Sequence, residues 1–192
     1  GSKTDLHSGV YGGLAYNPNR AMVEVLAKMR NADGSIAIPG FYESVAEISQ
    51  ADRETICRDI DPEQFELKHG VYPSGGEAAF TACESNWLRP TLEINGICGG
   101  YCGPGFKTVI PAQAIAKVSC RLVPNQQPQA IGALLKDYIT QNIPKGITCS
   151  IQIKEGDGPA ARPVPTSQQE EELGKATMKG FGTRTGPSQK GR

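Results

Sequence analysis

The chain has 192 residues, 38% of them hydrophobic and 6% aromatic, which is enough for one domain with a modest core. Its 20 Lys and Arg residues balance 20 Asp and Glu residues, and the net charge of +0 argues against a nucleic-acid or anionic-membrane surface. No apolar run is long enough to cross a bilayer, and no signal peptide is visible. Gly1 and Ser2 resemble the remnant of a cleaved tag, so we leave them out of the predictions.

The first half of the sequence predicts one clear helix followed by irregular structure. Asn17 and Pro18 are typical of a helix N-terminus, and apolar residues then recur at helical spacing until Asp33-Gly34 stops the helix. Residues 36–42 contain a Pro-Gly pair and indicate a loop. Residues 43–70 are charged and broken by a proline at position 62, which favours short helices. Residues 72–86 are too weakly patterned for a prediction.

The second half carries stronger periodicity. Residues 91–98 alternate as a strand and lead into a glycine-rich turn at 99–105. Residues 114–123 alternate best and end at Pro124. Pro128 then opens a helix with one apolar stripe. The apolar face of the strand is Ala116, Val118, Cys120 and Leu122, and the helix stripe is Ile131, Leu134, Leu135, Tyr138 and Ile139.

The order of elements predicts an α+β fold. A last strand is predicted at residues 147–153, where Ile147, Cys149, Ile151 and Ile153 alternate. Helix, strand, strand, helix and strand with strict alternation favour an antiparallel sheet that is covered by helices on one face and free on the other. One strand before the first helix would complete a ferredoxin-like unit. We expect the chain to begin too late to contain this first strand.

The C-terminal part departs from this pattern. Residues 3–156 are predicted to form the domain, and residues 157–192 a proline-rich linker, a partial helix at 168–181 and a disordered end. The acidic run at 170–172 is typical of a solvated first helical turn.

The six cysteines indicate free thiols in a reducing, cytoplasmic compartment. They are Cys57, Cys83, Cys98, Cys102, Cys120 and Cys149. None stands in a CxxC pair, and no histidine cluster completes a zinc site with Cys98 and Cys102. Cys120 and Cys149 lie on apolar strand faces, where cysteine packs as a small hydrophobe.

Two histidines are present, and they are far apart in the sequence. His7 follows Asp5 and precedes the glycine pair at 12–13, so it can be oriented for proton transfer or for binding an oxyanion. A solvated histidine in a glycine-rich loop is the alternative. His69 precedes Gly70 at the end of a charged segment, which favours a role at a helix C-terminus.

Two basic positions in the second half are candidates for binding anions. Residues 100–108 (GYCGPGFKT) nearly match a phosphate-binding loop, but one residue too many and Pro104 argue against nucleotide binding. The loop still presents Lys107 and Thr108. Arg121 lies on the polar face of the best strand, where it is either solvated or a clamp for a carboxylate.

Several stretches together resemble the lid, or dimerisation, domain of carnosinase-type dipeptidases. These cytosolic non-specific dipeptidase-like zinc enzymes belong with aminoacylases and glutamate carboxypeptidases in one metallopeptidase family. The stretches are residues 5–13 (DLHSGVYGG), 17–18 with the helix after them, 33–42 (DGSIAIPGFY), 89–97 (RPTLEINGI), 107–111 (KTVIP) and 120–128 (CRLVPNQQP). The resemblance covers about residues 3 to 155, in one frame.

The resemblance implies a role in hydrolysis of a peptide bond. In that family two zinc (or manganese) ions in a separate catalytic domain activate a water, and the lid forms a homodimer and reaches a neighbouring active site. By motif, His7 would stabilise the oxyanion and Thr108 would touch the peptide substrate, both in the partner subunit. Arg121 would hold the substrate's C-terminal carboxylate. The family's metal ligands flank the lid and the upstream set is absent from this chain, so we expect no cofactor and no activity in isolation.

Two other functions stay open from the sequence. The chain can be a stand-alone binding or scaffold module with the same fold, in which His7 and Arg121 are irrelevant to partner binding. It can also be an autonomous enzyme with Cys98 or Cys102 as nucleophile, which would resist chelators and be blocked by thiol reagents.

Overall fold

The computed structural model describes residues 1–51, 53 and 61–154, all of which belong to one compact unit. Several strands and helices lie wholly within these residues. In chain order they are β1 (Leu6–His7), α1 (Ser8–Tyr11), α2 (Pro18–Ala27), α3 (Pro62–His69), α4 (Ala82–Trp87), β2 (Thr91–Gly99), β3 (Val109–Ile110), β4 (Ala114–Arg121) and α5 (Pro128–Asn142). Within the described ranges, no helix is long and apolar enough to span a membrane.

The antiparallel pair of β2 and β4 is the larger of the two sheets in the described part of the chain. Thr91 pairs with Arg121 at one end and Gly99 with Ala114 at the other, with a bulge between Ile94 and Gly96. Successive side chains point to opposite faces. The β4 residues that pack on the helices are Ala116, Val118 and Cys120. The predicted antiparallel sheet with helices on one face is therefore confirmed.

The core lies between this sheet and helices α2 and α5. Its buried members are Val25, Leu26, Met29, Ile36, Ile38, Phe41, Leu92 and Ile131. Phe41, Met29 and Leu92 are the largest fully buried apolar side chains. The Tyr138 hydroxyl of α5 donates to the Lys28 carbonyl at 2.6 Å, which joins the two helices at their ends.

Helix α2 begins where the sequence predicts it but ends at Ala27, well before Asp33. Asn17 Oδ1 accepts from the Asn19 amide at 2.9 Å and caps the start. After Ala27 the chain turns back, with the Ala37 amide donating to the Met29 carbonyl at 2.8 Å. Asp33 forms the turn of this return segment, so it does not stop the helix.

Two helices in the middle of the chain correct the sequence prediction. Pro62 does not break a helix; it is the first residue of α3, which Asp61 caps and Gly70 ends in the left-handed region at φ 72°. His69 lies in the last turn of α3, as predicted. Helix α4 was missed, although Thr81 and Glu84 form a capping box at its start.

Strand β4 ends at Arg121, two residues before the predicted end at Val123. The Val123 amide donates to Gln126 Oε1 at 3.1 Å, and Gln126 Nε2 donates to the Phe41 carbonyl at 2.8 Å. Gln126 is fully buried, so this side chain takes over the hydrogen bonding that a strand partner would otherwise supply.

The prediction of a strand at residues 147–153 is wrong. These residues form no strand and pair with no described strand. Their alternation places apolar side chains on one side, but a strand also needs a neighbour that accepts its hydrogen bonds. Cys57 and the predictions for residues 157–192, namely the linker, the partial helix, the acidic run and the disordered end, lie outside the described residues.

Candidate functional site

A short sheet brings the N-terminal loop next to the end of the glycine-rich loop. In the β1–β3 pair, Leu6 lies opposite Ile110 and His7 opposite Val109. The Ser8 amide adds a bond of 3.0 Å to the Thr108 carbonyl. Sequence positions 101 residues apart therefore meet at one exposed site, which we call the His7 corner: residues 5–9 and 106–112.

Both ring nitrogens of His7 have partners within the corner. Nδ1 accepts the Gly9 amide proton at 3.0 Å, and Nε2 lies 3.2 Å from the Thr108 hydroxyl oxygen. A neutral imidazole that accepts at Nδ1 carries its proton on Nε2. We therefore assign the Nε2–H tautomer, in which Nε2 donates toward Thr108.

Glycine is required beside this ring. A Cβ at Gly9 would lie 2.9 Å from His7 Cε1, which is closer than side-chain carbons approach one another. Gly9 thus leaves room for the ring and also supplies the amide that fixes its tautomer. The sequence prediction noted the glycines around His7 but did not identify this contact.

Asp5 does not orient His7, which is a correction to the sequence hypothesis. Its Oδ1 accepts from the Ala112 amide at 2.8 Å and holds the two chain segments together. The corner encloses an open cavity of about 470 Å³ lined by residues 5–7 and 106–109. Phe106 at its rim is 87% exposed. The Lys107 ammonium lies 4.5 Å from the centre of the Tyr101 ring.

Arg121 lies elsewhere. It is an exposed residue at the C-terminal end of β4, on the sheet face away from the helices, and it does not line the His7 cavity. Instead it lines a second, larger cavity between β4 and residues 147–154. Of the three residues predicted from the sequence, the structure brings His7 and Thr108 together and leaves Arg121 apart.

The described cysteines are Cys83, Cys98, Cys102, Cys120 and Cys149, and all are free thiols. Burial raises the pKa of the Cys120 thiol to about 11. Cys98 and Cys102 are exposed, and neither lines the cavity beside His7. The geometry therefore places no cysteine nucleophile in that cavity.

Comparison with known protein families identifies the domain. Residues 2–147 match the M20 peptidase dimerisation domain. The chain belongs to this family. The resemblance read from the sequence motifs is thereby confirmed.

Curated relatives and solved structures agree with the family. A Cys-Gly metallodipeptidase of Schizosaccharomyces pombe is 35% identical over 147 residues, covering 73% of this chain and 30% of the relative. A Beta-Ala-His dipeptidase of Rattus norvegicus is 33% identical over 142 residues, covering 72% of this chain and 28% of the relative. The structure is similar to an M20 family metallo-carboxypeptidase from Sulfolobus solfataricus, with a TM-score of 0.77 at 29% identity, covering 95% of this chain and 41% of that one. Human carnosine dipeptidase 1 gives the same TM-score at 26% identity, covering 96% and 40%.

The chain thus spans about a third of the length of the curated relatives it matches. Several relatives are named as metal-dependent enzymes. Among the residues that the structure describes, no three His, Cys, Asp or Glu side chains gather into a metal-binding group. This donor set does not fit a catalytic metal, so we derive no chemical step through one.

Proposed function

We propose that this domain is the lid of a dinuclear metal-dependent dipeptidase and donates His7 and Thr108 to the active site of a partner subunit. Membership of the dimerisation family supports the role of a lid. The observation that carries the choice of residues is the His7–Thr108 contact at the mouth of an exposed cavity. The metal pair, zinc or manganese, and the general base would belong to the catalytic domain. The lid domain would therefore be inactive alone.

The fixed tautomer suits His7 to oxyanion binding. The Gly9 amide occupies Nδ1, so Nε2–H is the donor available to a substrate. An oxygen that gains negative charge as water attacks the amide carbon is a stronger acceptor than the Thr108 hydroxyl. Nε2–H would turn to this oxygen, and the Thr108 hydroxyl would be free to donate to the same substrate.

Arg121 would act at a different point of the substrate. Its planar guanidinium suits a carboxylate, and no ion pair or hydrogen bond engages it within the described part of the chain. We assign it the C-terminal carboxylate of a peptide. Arg121 is separate from the His7 cavity, which fits a role in a different active site. His7 and Thr108 would act across the dimer, and Arg121 would act within its own subunit.

Strand β2 supports the proposed homodimer. It is nine residues long and pairs only with β4 among the described strands, so its other edge is unpaired. A long unpaired edge is a template for a strand of another molecule, and two copies related by a two-fold axis would pair the same edge. The expectation of a cytoplasmic location stays a prediction.

A chimeric enzyme tests the donation of His7. Residues 3–147 would replace the matching segment of the Schizosaccharomyces pombe relative, and Cys-Gly hydrolysis would be measured. We expect His7→Ala to lower kcat by about 100- to 1000-fold, the usual effect of losing one oxyanion donor. Gly9→Ala should also lower kcat because it displaces the ring. Arg121→Ala should mainly raise KM.

Mixed dimers test whether His7 acts in the active site of the partner subunit or in that of its own subunit. His7→Ala subunits would be mixed with subunits whose own catalytic domain is inactivated. Activity should reappear in the mixture, because the second subunit supplies an intact His7 to the first. His69→Ala is the matched control, since this exposed histidine lies outside the cavity and should leave kcat unchanged. Full activity of His7→Ala would instead favour a non-catalytic scaffold.

A further inference from the structure

Phe106 is the most exposed large apolar side chain in the described part of the chain, at 87%. Single exposed apolar side chains are common on protein surfaces, so the exposure alone assigns no role. The place of this ring is what distinguishes it. It lines the same cavity as His7 and Thr108, and only Lys107 separates it from Thr108 along the chain.

The glycine-rich loop before Phe106 is held by its own contacts. The Tyr101 hydroxyl donates to the Pro104 carbonyl at 2.7 Å, across the loop. A Cβ at Gly103 would lie 2.6 Å from the same hydroxyl oxygen, so the loop backbone packs directly on the tyrosine. The Lys107 ammonium also contacts the Tyr101 ring. These contacts hold residues on both sides of Phe106.

The chain after Phe106 is fixed by backbone hydrogen bonds. The Ser8 amide donates to the Thr108 carbonyl, and the Val109 amide donates to the Lys107 carbonyl, both at 3.0 Å. The ring is therefore presented from a short segment that is anchored at each end. An apolar group that is already positioned loses little conformational freedom when it binds, so it contributes more to affinity than a mobile one.

The position of the ring selects one part of the substrate. In the proposed function, His7 Nε2–H binds the oxygen of the scissile carbonyl. The side chain nearest to that oxygen belongs to the residue that carries the carbonyl, because only its Cα lies between them. The next side chain lies beyond the amide nitrogen and a second Cα. Since Phe106 shares the cavity with His7, it stands on the side of the first of these residues.

The lining of the cavity indicates the chemistry of that side chain. Asp5 already accepts a backbone amide through Oδ1, and Lys107 lies over an aromatic ring. Leu6 and Val109 add apolar surface, and the exposed ring of Phe106 forms the rim. Such a rim favours a side chain that gives up water readily over one that carries a charge.

We propose that Phe106 is a specificity-determining residue, which selects dipeptides whose N-terminal side chain is large and apolar. The inference rests on the proposed function, because the ring meets substrate only if the His7 corner reaches the active site of a partner subunit. It adds the substrate class, which the contact between His7 and Thr108 does not determine.

The chimeric enzyme that carries residues 3–147 tests the proposal with three dipeptides, Leu-Gly, Ala-Gly and Glu-Gly. We expect Phe106→Ala to lower the ratio of kcat/KM for Leu-Gly to that for Ala-Gly by about tenfold, since apolar contacts discriminate by about this factor or more. Phe106→Leu should keep most of the ratio, because it keeps an apolar rim. An unchanged ratio in Phe106→Ala, or a loss that is larger for Glu-Gly than for Leu-Gly, would overturn the proposal.

Leu67→Ala is the matched control. Leu67 lies on α3, is 81% exposed and is outside the cavity, so this variant loses an exposed apolar side chain without changing the rim. Both variants should fold because both side chains are in water, which circular dichroism checks. Leu67→Ala should keep the ratio of Leu-Gly to Ala-Gly. An equal fall of the ratio in both variants would refute the assignment to Phe106.

His7→Ala in the same chimera distinguishes failure of this inference from failure of the proposed function. If His7→Ala leaves kcat unchanged for all three dipeptides, the proposed function is wrong and the inference fails with it. A folded, dimeric chimera that hydrolyses none of the dipeptides would contradict both as well. If His7→Ala lowers kcat while Phe106→Ala lowers kcat/KM equally for all three dipeptides, only the role of Phe106 in specificity is wrong.

Discussion

Strand β4 and residues 147–154 form opposite walls of the larger cavity, and they differ in how their backbones are satisfied. β4 is hydrogen-bonded to β2 along its length, and its helix-facing side chains are half-buried. Residues 147–154 have the same alternation of apolar side chains, yet no described strand pairs with them and most of their side chains are exposed. The comparison shows that periodicity decides which face is apolar, while a neighbouring edge decides whether a strand forms.

The largest difference in stability is expected between two truncations, one of an apolar side chain in the β2–β4 sheet and one of an apolar side chain in residues 147–154. Leu92 of β2 lies opposite Cys120 and is 2% exposed, so Leu92→Ala leaves a cavity in the core. We expect its free energy of unfolding to fall by about 2–5 kcal/mol. Ile153→Ala should cost about 1 kcal/mol or less, because the side chain is already half in water. Urea denaturation monitored by circular dichroism measures the free energy of unfolding of both variants. Similar losses in the two variants would contradict the difference in burial between the two regions.

An intermediate effect is expected at the end of β4. Gln126→Leu keeps the volume but removes the partners of the Val123 amide and the Phe41 carbonyl. Two backbone groups left unpaired in a buried site should lower the free energy of unfolding by about 1–3 kcal/mol. Gln152→Leu is the control on the opposite wall, where the side chain is exposed and no change is expected. A stable Gln126→Leu variant would mean that water replaces the lost partners.

The smallest effect concerns reactivity and leaves stability unchanged. Cys120 and Cys149 stand on the two walls, and burial raises the pKa of the Cys120 thiol to about 11. At pH 8 its thiolate is on the order of one molecule in a thousand, so iodoacetamide should modify exposed Cys149 first. The rate at Cys120 should rise about tenfold per pH unit up to about pH 10. Mass spectrometry of digested protein follows both sites, and a rate at Cys120 that ignores pH would contradict the burial of its thiol.

Local signals in the sequence were sufficient for the elements that they encode directly. The start of α5 at Pro128 and the alternation of β2 and β4 were predictable because proline geometry and side-chain period act within a few residues. The capping box of Thr81 and Glu84 was also readable, since it is a local signature of a helix start. The failure at residues 147–153 has another cause, because pairing depends on a distant edge.

The candidate site was only partly predictable for the same reason. Nothing local to His7 indicates Thr108, which is 101 residues away, and only the family resemblance joined them in advance. The sequence also suggested Asp5 as the partner of His7, since the two are close along the chain. In the structure that carboxylate binds the Ala112 amide, a contact that sequence proximity could not indicate.

The separation between His7 and Thr108 also bears on how the domain folds. The β2–β4 pairing closes within one local stretch of chain, whereas the corner closes a loop of about a hundred residues. Closing the longer loop costs about 1 to 2 kcal/mol more chain entropy, so we expect the β2–β4 pair to form first and the His7 corner late. The imidazole proposed for catalysis would then reach its working position only in a chain whose sheet is already built.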